Sequence, residues 1–130
     1  MVELPNGLTI FNATAGDIVF WNEEWDVPVI VPEDYAIEVE EKWQVVESFS
    51  YNKYRESLVE FSIVPSTYKD EWGTPLPISG WEIIKDAKDA GADIIVGSRL
   101  AARAYPGEVH ATVSVKGKEH YAKPNHFLRF

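Results

Sequence analysis

Ala92-Asp93-Ile94-Ile95-Val96-Gly97-Ser98-Arg99-Leu100-Ala101-Ala102-Arg103-Ala104-Tyr105-Pro106-Gly107 is the stretch whose reading decides the fold. Asp93 to Val96 is a short apolar run, which marks a buried strand. Gly97 interrupts it and Ser98 is a favoured helix N-cap, because its hydroxyl accepts from a free backbone N–H of the first turn. Arg99 to Ala104 consists of good helix formers, and Pro106-Gly107 stops the helix. A strand that turns directly into a short helix is therefore expected at Gly97-Ser98.

Moving N-terminally, Ser79 can cap a helix over Gly80 to Ala90. Trp81, Ile84, Ala87 and Lys88 follow its inward spacing, and Gly91 ends it. Before it, Pro65 to Pro77 holds three prolines and Gly73. It reads as a long irregular loop carrying Asp70, Glu71 and Trp72. The first half of the chain alternates like strands. Leu8 to Asn12 is a strand and Ile18 to Trp21 its return strand after the Gly16-Asp17 turn. Val27 to Val31 is an edge strand because of Pro28. Ala36 to Phe49 reads as a long strand or hairpin, with a helix over Glu38 to Glu47 as the competing reading. Ser50 to Ser57 is a loop, and Leu58 to Val64 a further strand. C-terminal to the opening stretch, Val109 to Val115 alternates, Lys116-Gly117-Lys118 turns, and His120 to Phe130 returns as a hairpin. The sum is an α+β fold: an antiparallel sheet, one or two helices and a C-terminal hairpin.

The chain has 130 residues, which suits one domain burying roughly two thirds of its unfolded surface. A hydrophobic share of 45% excludes a disordered class. The net charge of −9 argues against non-specific nucleic-acid binding and against an anionic membrane surface. It suits a basic protein partner or simple solubility. With no cysteine there is no disulfide scaffold, no thiolate nucleophile and no Cys-based zinc site. No basic-then-apolar leader and no run near ~20 apolar residues is visible, so a cytoplasmic location is expected.

Three constellations carry candidate chemistry. Ser98, Arg99 and Arg103 stand at the expected strand–helix corner, where free N–H groups and two cations one turn apart suit a phosphate or carboxylate. The Gly-rich cradle and Lys of a P-loop are missing, and a capped helix with a solvated basic stripe is the competing reading. His110 faces His126 if the hairpin loop is Gly117 to Glu119, and with Glu108 or Asp70 the pair would form a metal site or hold a general base. The alternative is three surface histidines. Asp70-Glu71-Trp72 and Glu23-Glu24-Trp25-Asp26 are acidic segments that pair for metal binding or acid–base work, or stay solvated. Trp25 and Trp72 are the expected partner-binding aromatics. No cofactor is called for, and a host protein or a second copy of the chain is the expected partner.

Leu8-Thr9-Ile10-Phe11-Asn12, Gly73-Thr74-Pro75-Leu76-Pro77, Ile94 to Ala102 and Pro106-Gly107 together resemble a family of small uncharacterised proteins encoded by bacteriophages and prophages. The family pattern runs Asn-Leu-Thr, Gly-x-Pro-x-Pro, then Ile-Val-Ser-x-Leu-Val-Ala. This chain lacks that family's Pro-His after Thr and its Gly-Cys ending, and Gly80 to Ala90 is an insertion. The resemblance implies a viral or mobile-element accessory factor and brings no catalytic residue with it. Three functions follow as expectations: a non-enzymatic binding protein, a binder of a small phosphorylated ligand at Ser98, and a metal-dependent hydrolase at His110 and His126.

Overall fold

The computed structural model describes residues 1–47 and 55–130. Its elements run β1 (Val2–Glu3), β2 (Thr9–Asn12), β3 (Ile18–Phe20), β4 (Val29–Val31), β5 (Glu38–Glu47), β6 (Arg55–Val64), β7 (Ser66–Lys69), β8 (Pro75–Ile78), α1 (Gly80–Asp89), β9 (Ile94–Val96), α2 (Arg99–Ala104), β10 (Ala111–Val115) and β11 (Lys118–Leu128). Strands dominate, and antiparallel pairing is the commoner kind, so the α+β class stands.

β9 is the middle of the molecule. It lies parallel to β2, pairing Ile10 with Ile94, Phe11 with Ile95 and Asn12 with Val96. Asp93 sets this register: its N–H donates to the Thr9 carbonyl at 2.9 Å, and its carboxylate accepts from the Thr9 N–H at 2.8 Å. On the other side Val96 bridges to His110, again in parallel. Both faces of β9 are covered. Ile95 packs with Ile83, Ile84, Ala101, Ala102 and Tyr105 of the helical layer. Val96 and Ile94 pack with Ile10 of the neighbouring β2 and with Phe20 and Val31 of the second sheet, ordered β10-β11-β3-β4. A strand covered on both faces has no polar alternation, which is why Ile94-Ile95-Val96 reads as an unbroken apolar run.

The turn from strand to helix at Gly97 is as the residues predict, but space is the deciding reason. A Cβ on Gly97 would stand 2.6 Å from Val109 Cγ1 and 3.1 Å from the Ala101 Cβ. The Gly97 N–H donates to the His110 carbonyl at 2.8 Å, so the 109–110 backbone runs hard against this corner. Ser98 then caps α2, its Oγ accepting from the Ala101 N–H. α1 is capped in the same way by Ser79, which accepts from the Glu82 N–H. Its far end closes with Gly91 at φ +96°, where the Gly91 N–H reaches the Lys88 carbonyl and the Ala92 N–H the Ala87 carbonyl. That reciprocal closure leaves the chain aimed straight into β9.

Several expectations need correction. Ile18–Phe20 is not the return strand of Thr9–Asn12: β2 and β3 belong to different sheets. Residues 65–77 are not an irregular loop but the greater part of a hairpin, β7 with β8. Pro75 and Pro77 are tolerated because they are two apart, so both missing N–H groups fall on the open edge of a two-stranded sheet. The strand reading of Ala36 to Phe49 needs no such correction: residues 38–47 are strand and not the competing helix, paired in antiparallel register with β6 from Glu38–Val64 to Glu47–Arg55. The expected loop at Ser50 to Ser57 lies mostly outside the described residues, and Arg55 to Ser57 already belongs to β6. The inward face of α1 is Gly80, Ile83, Ile84 and Ala87, and Trp81 is 56% exposed.

Gly97→Ala is expected to destabilise the protein by about 1–3 kcal/mol, the usual cost of forcing a methyl into a filled core. Val109→Ala in the same chain should recover part of that loss, because it vacates the contested space. Equal urea midpoints for wild type and Gly97→Ala would contradict the close packing described.

Candidate functional site

The Ser98, Arg99 and Arg103 corner is exposed on all three side chains. Ser98 Oγ is engaged in capping, and α2 has only six residues. Arg103 lies with its guanidinium 5.2 Å from the centre of the Phe130 ring. The corner is thus a capped turn with one of its cations resting on an aromatic face.

His110 and His126 are not brought together. β10 and β11 pair Ala111 with Leu128 and Thr112 with Phe127, and then shift register twice before Val115 meets Lys118. The pairing counted back from the loop is lost across those irregularities, and residue 110 lies beyond the Leu128 end of the ladder. His126 is exposed with Nδ1 3.0 Å from Asn125 Oδ1. His110 is half-buried, and its Nδ1 is buried without a hydrogen-bond partner among the described residues. Burial holds this imidazole below its ordinary range and Arg129 adds to that. Glu108 and the Ile95 carbonyl pull the other way. Among the described residues no three His, Asp or Glu side chains gather to hold a metal. Asp70 does structural work: its Oδ1 accepts from the Trp72 and Thr74 N–H groups, both at 2.9 Å.

The two expected aromatics separate. Trp25 is half-buried against the Phe20 and Val31 cluster, and its carbonyl accepts from Trp21 Nε1 at 3.1 Å. Trp72 is 81% exposed in the β7–β8 turn. Trp21, unnoticed in the sequence, lies under Lys118 Nζ at 4.2 Å and beside Tyr121 at 5.9 Å.

The feature that sequence reasoning missed is a cleft of about 370 Å³ beside α1, lined by Phe11, Tyr35, Ile78, Ile83, Ala87 and Asp86, with Met1 and Ala90 at its edges. Asp86 is the one charged side chain in that lining. Its helical part was legible as the 83, 86, 87, 90 spacing. Phe11, Tyr35 and Ile78 arrive from three separate segments, and no sequence signal links them. A second depression of about 400 Å³ has polar walls including Glu33, Glu38 and Lys69.

No helix among the described residues is long and apolar enough to cross a membrane. Comparison with protein-family models, curated proteins and solved structures finds no match to this chain.

Two predictions test this picture. Tyr105 is wholly buried, its hydroxyl has no partner among the described residues, and it stands 2.2 Å from where a Cβ on Gly80 would sit. Tyr105→Phe is therefore expected to leave stability unchanged or raise it by up to about 1 kcal/mol, since a buried donor without an acceptor is a net cost. A clear loss on chemical denaturation would show that the hydroxyl has a partner. For His110 the unfolded chain takes up the proton more readily than the folded one. Its contribution is therefore complete above the ordinary value of 6.5 and is lost as pH falls below it. The wild type should lose more stability than His110→Gln when the pH is lowered through that window, and parallel pH profiles would refute the assignment.

Proposed function

We propose that this chain is a non-enzymatic binding protein that engages a protein partner through its β-ribbons and Trp72. The observation that carries the reading is the exposure of Trp72 on a turn with a fixed backbone. Gly73 takes φ +78°, the Asp70 carboxylate holds two N–H groups, and Asp70 and Thr74 close the hairpin at 3.1 Å. An indole held this way presents apolar area with little entropy left to lose on contact. Tryptophan is among the residues most often found to dominate an interface.

Strand edges support the same reading. β5–β6 and β7–β8 are each two-stranded among the described residues, so each leaves outer edges open to a further strand. The charge of −9 favours a partner with a basic surface. The resemblance to small phage and prophage proteins favours an accessory factor of a virus or mobile element acting in the cytoplasm on a host protein.

Trp72→Ala tests the reading. The variant should keep the wild-type unfolding midpoint, because the side chain is 81% exposed. Used as bait beside the wild type, it should retain no more than roughly a tenth of a specifically captured partner, the loss expected of an interface anchor. Equal retention of every partner by the two baits would remove the proposal.

A further inference from the structure

The cleft beside α1 is separate from the Trp72 surface, and its chemistry selects a different kind of ligand. Its walls are Phe11, Tyr35, Ile78, Ile83 and Ala87, an apolar lining with two aromatic rings. A volume of about 370 Å³ lies within the range of small-molecule sites, at the end that suits one ring and a short chain. Asp86, an exposed residue of α1, is the one charged side chain of the lining, and its carboxylate has no hydrogen-bond or ion-pair partner among the described residues.

Charge then decides between ligands of similar shape. The cleft lining contains no Lys, Arg or His side chain. A carboxylate or phosphate ligand would meet the charge of Asp86, on a protein already at −9. A cation is favoured by both. We propose that this cleft is a binding site for a small aromatic or aliphatic amine, its apolar body against Phe11, Tyr35 and Ile83 and its ammonium group at Asp86. The site is independent of the protein-binding surface proposed above, and loss of either leaves the other standing.

The test uses phenethylamine, phenethyl alcohol and hydrocinnamate, titrated into the full chain and followed by backbone and aromatic chemical shifts. The amine is expected to bind in roughly the millimolar range or tighter, as its size allows. The alcohol should bind roughly two- to fivefold more weakly, the worth of one exposed ion pair, and the carboxylate more weakly again. Shifts should centre on Phe11, Tyr35 and Ile83. Asp86→Asn should erase the preference for amine over alcohol while leaving the alcohol's affinity in place. Ala90→Trp, at an exposed position on the cleft edge, should abolish binding of both, with its fold checked by circular dichroism. Absence of amine binding at millimolar concentration, equal affinity for all three probes, or an undiminished amine preference in Asp86→Asn would each overturn the proposal.

Discussion

Asn12 is the one fully buried polar side chain in the described core, and the layers of the molecule depend on how it is satisfied. Its Nδ2 donates to the Val31 carbonyl at 2.9 Å and to the Gly16 carbonyl at 2.8 Å. Its Oδ1 accepts from the Thr14 N–H and hydroxyl. Its own N–H donates to Asp34 Oδ2, and its carbonyl accepts from the Asp34 and Tyr35 N–H groups. Leaving any one of these unmade in a dry interior costs about 1–3 kcal/mol, so the arrangement is close to all or nothing. The consequence is geometric. The end of β2, the end of β4 and the segment leading to β5 are fixed at one point. The two sheets meet there as well as at the Val96–His110 bridge.

That network also explains why part of the fold was hidden in the sequence. Leu8 to Asn12 and Ile18 to Trp21, separated by a small-residue turn, invite reading as a hairpin. Asn12 instead uses that turn, binding Thr14 and Gly16, and the chain leaves for the second sheet. A single asparagine gives no periodic signal, so no pattern argument finds it. Propensity likewise failed at Pro75 and Pro77, where an open edge makes proline acceptable, and at Trp81, which an inward helical spacing placed in the core. Its ring meets Tyr105 edge-on at 5.0 Å, while Gly80, beside it, is what faces inward. What was legible was local: the caps at Ser79 and Ser98, the apolar strand Ile94 to Val96, and the stops at Gly91 and Gly107. Each is decided by residues adjacent in sequence. Strand partners and the bulged register of β10 with β11 are decided by residues far apart, and those were not legible.

The same division governs the sites. Ser98, Arg99 and Arg103 could be grouped from sequence because they lie within one turn or so of α2, and that helix with its Ser98 cap is present. His110 with His126 required a register, and two irregularities in the ladder break it. The cleft beside α1 draws Phe11 from β2, Tyr35 from the segment tied to Asn12, and Ile78 from the end of β8. The residue whose side chain joins the sheets thus also helps place one wall of the cleft, since the Tyr35 N–H donates to the Asn12 main-chain carbonyl at 3.2 Å. Fold-determining and cleft-forming contacts share a residue here, so the cleft's shape is as firmly set as the sheet junction behind it.

The tryptophans show how available surface can be separated from core by partners alone. Trp21 is covered by Lys118 and flanked by Tyr121. Trp25 closes one side of the Phe20 cluster, and Trp81 abuts Tyr105. Each of these rings already has neighbours whose displacement would cost contact energy, so recruiting it to a new interface gains only a difference. Trp72 has no such neighbour among the described residues, and its backbone is held by Asp70. Burying that indole against a partner would remove nearly its whole apolar area from water. At roughly 25 cal/mol per Å², that makes Trp72 the side chain, among the described residues, on which a contact gains most. Of the four tryptophans described, Trp72 is the most exposed, at 81% against 56% for Trp81, and it alone stands on a turn whose backbone is held by a carboxylate.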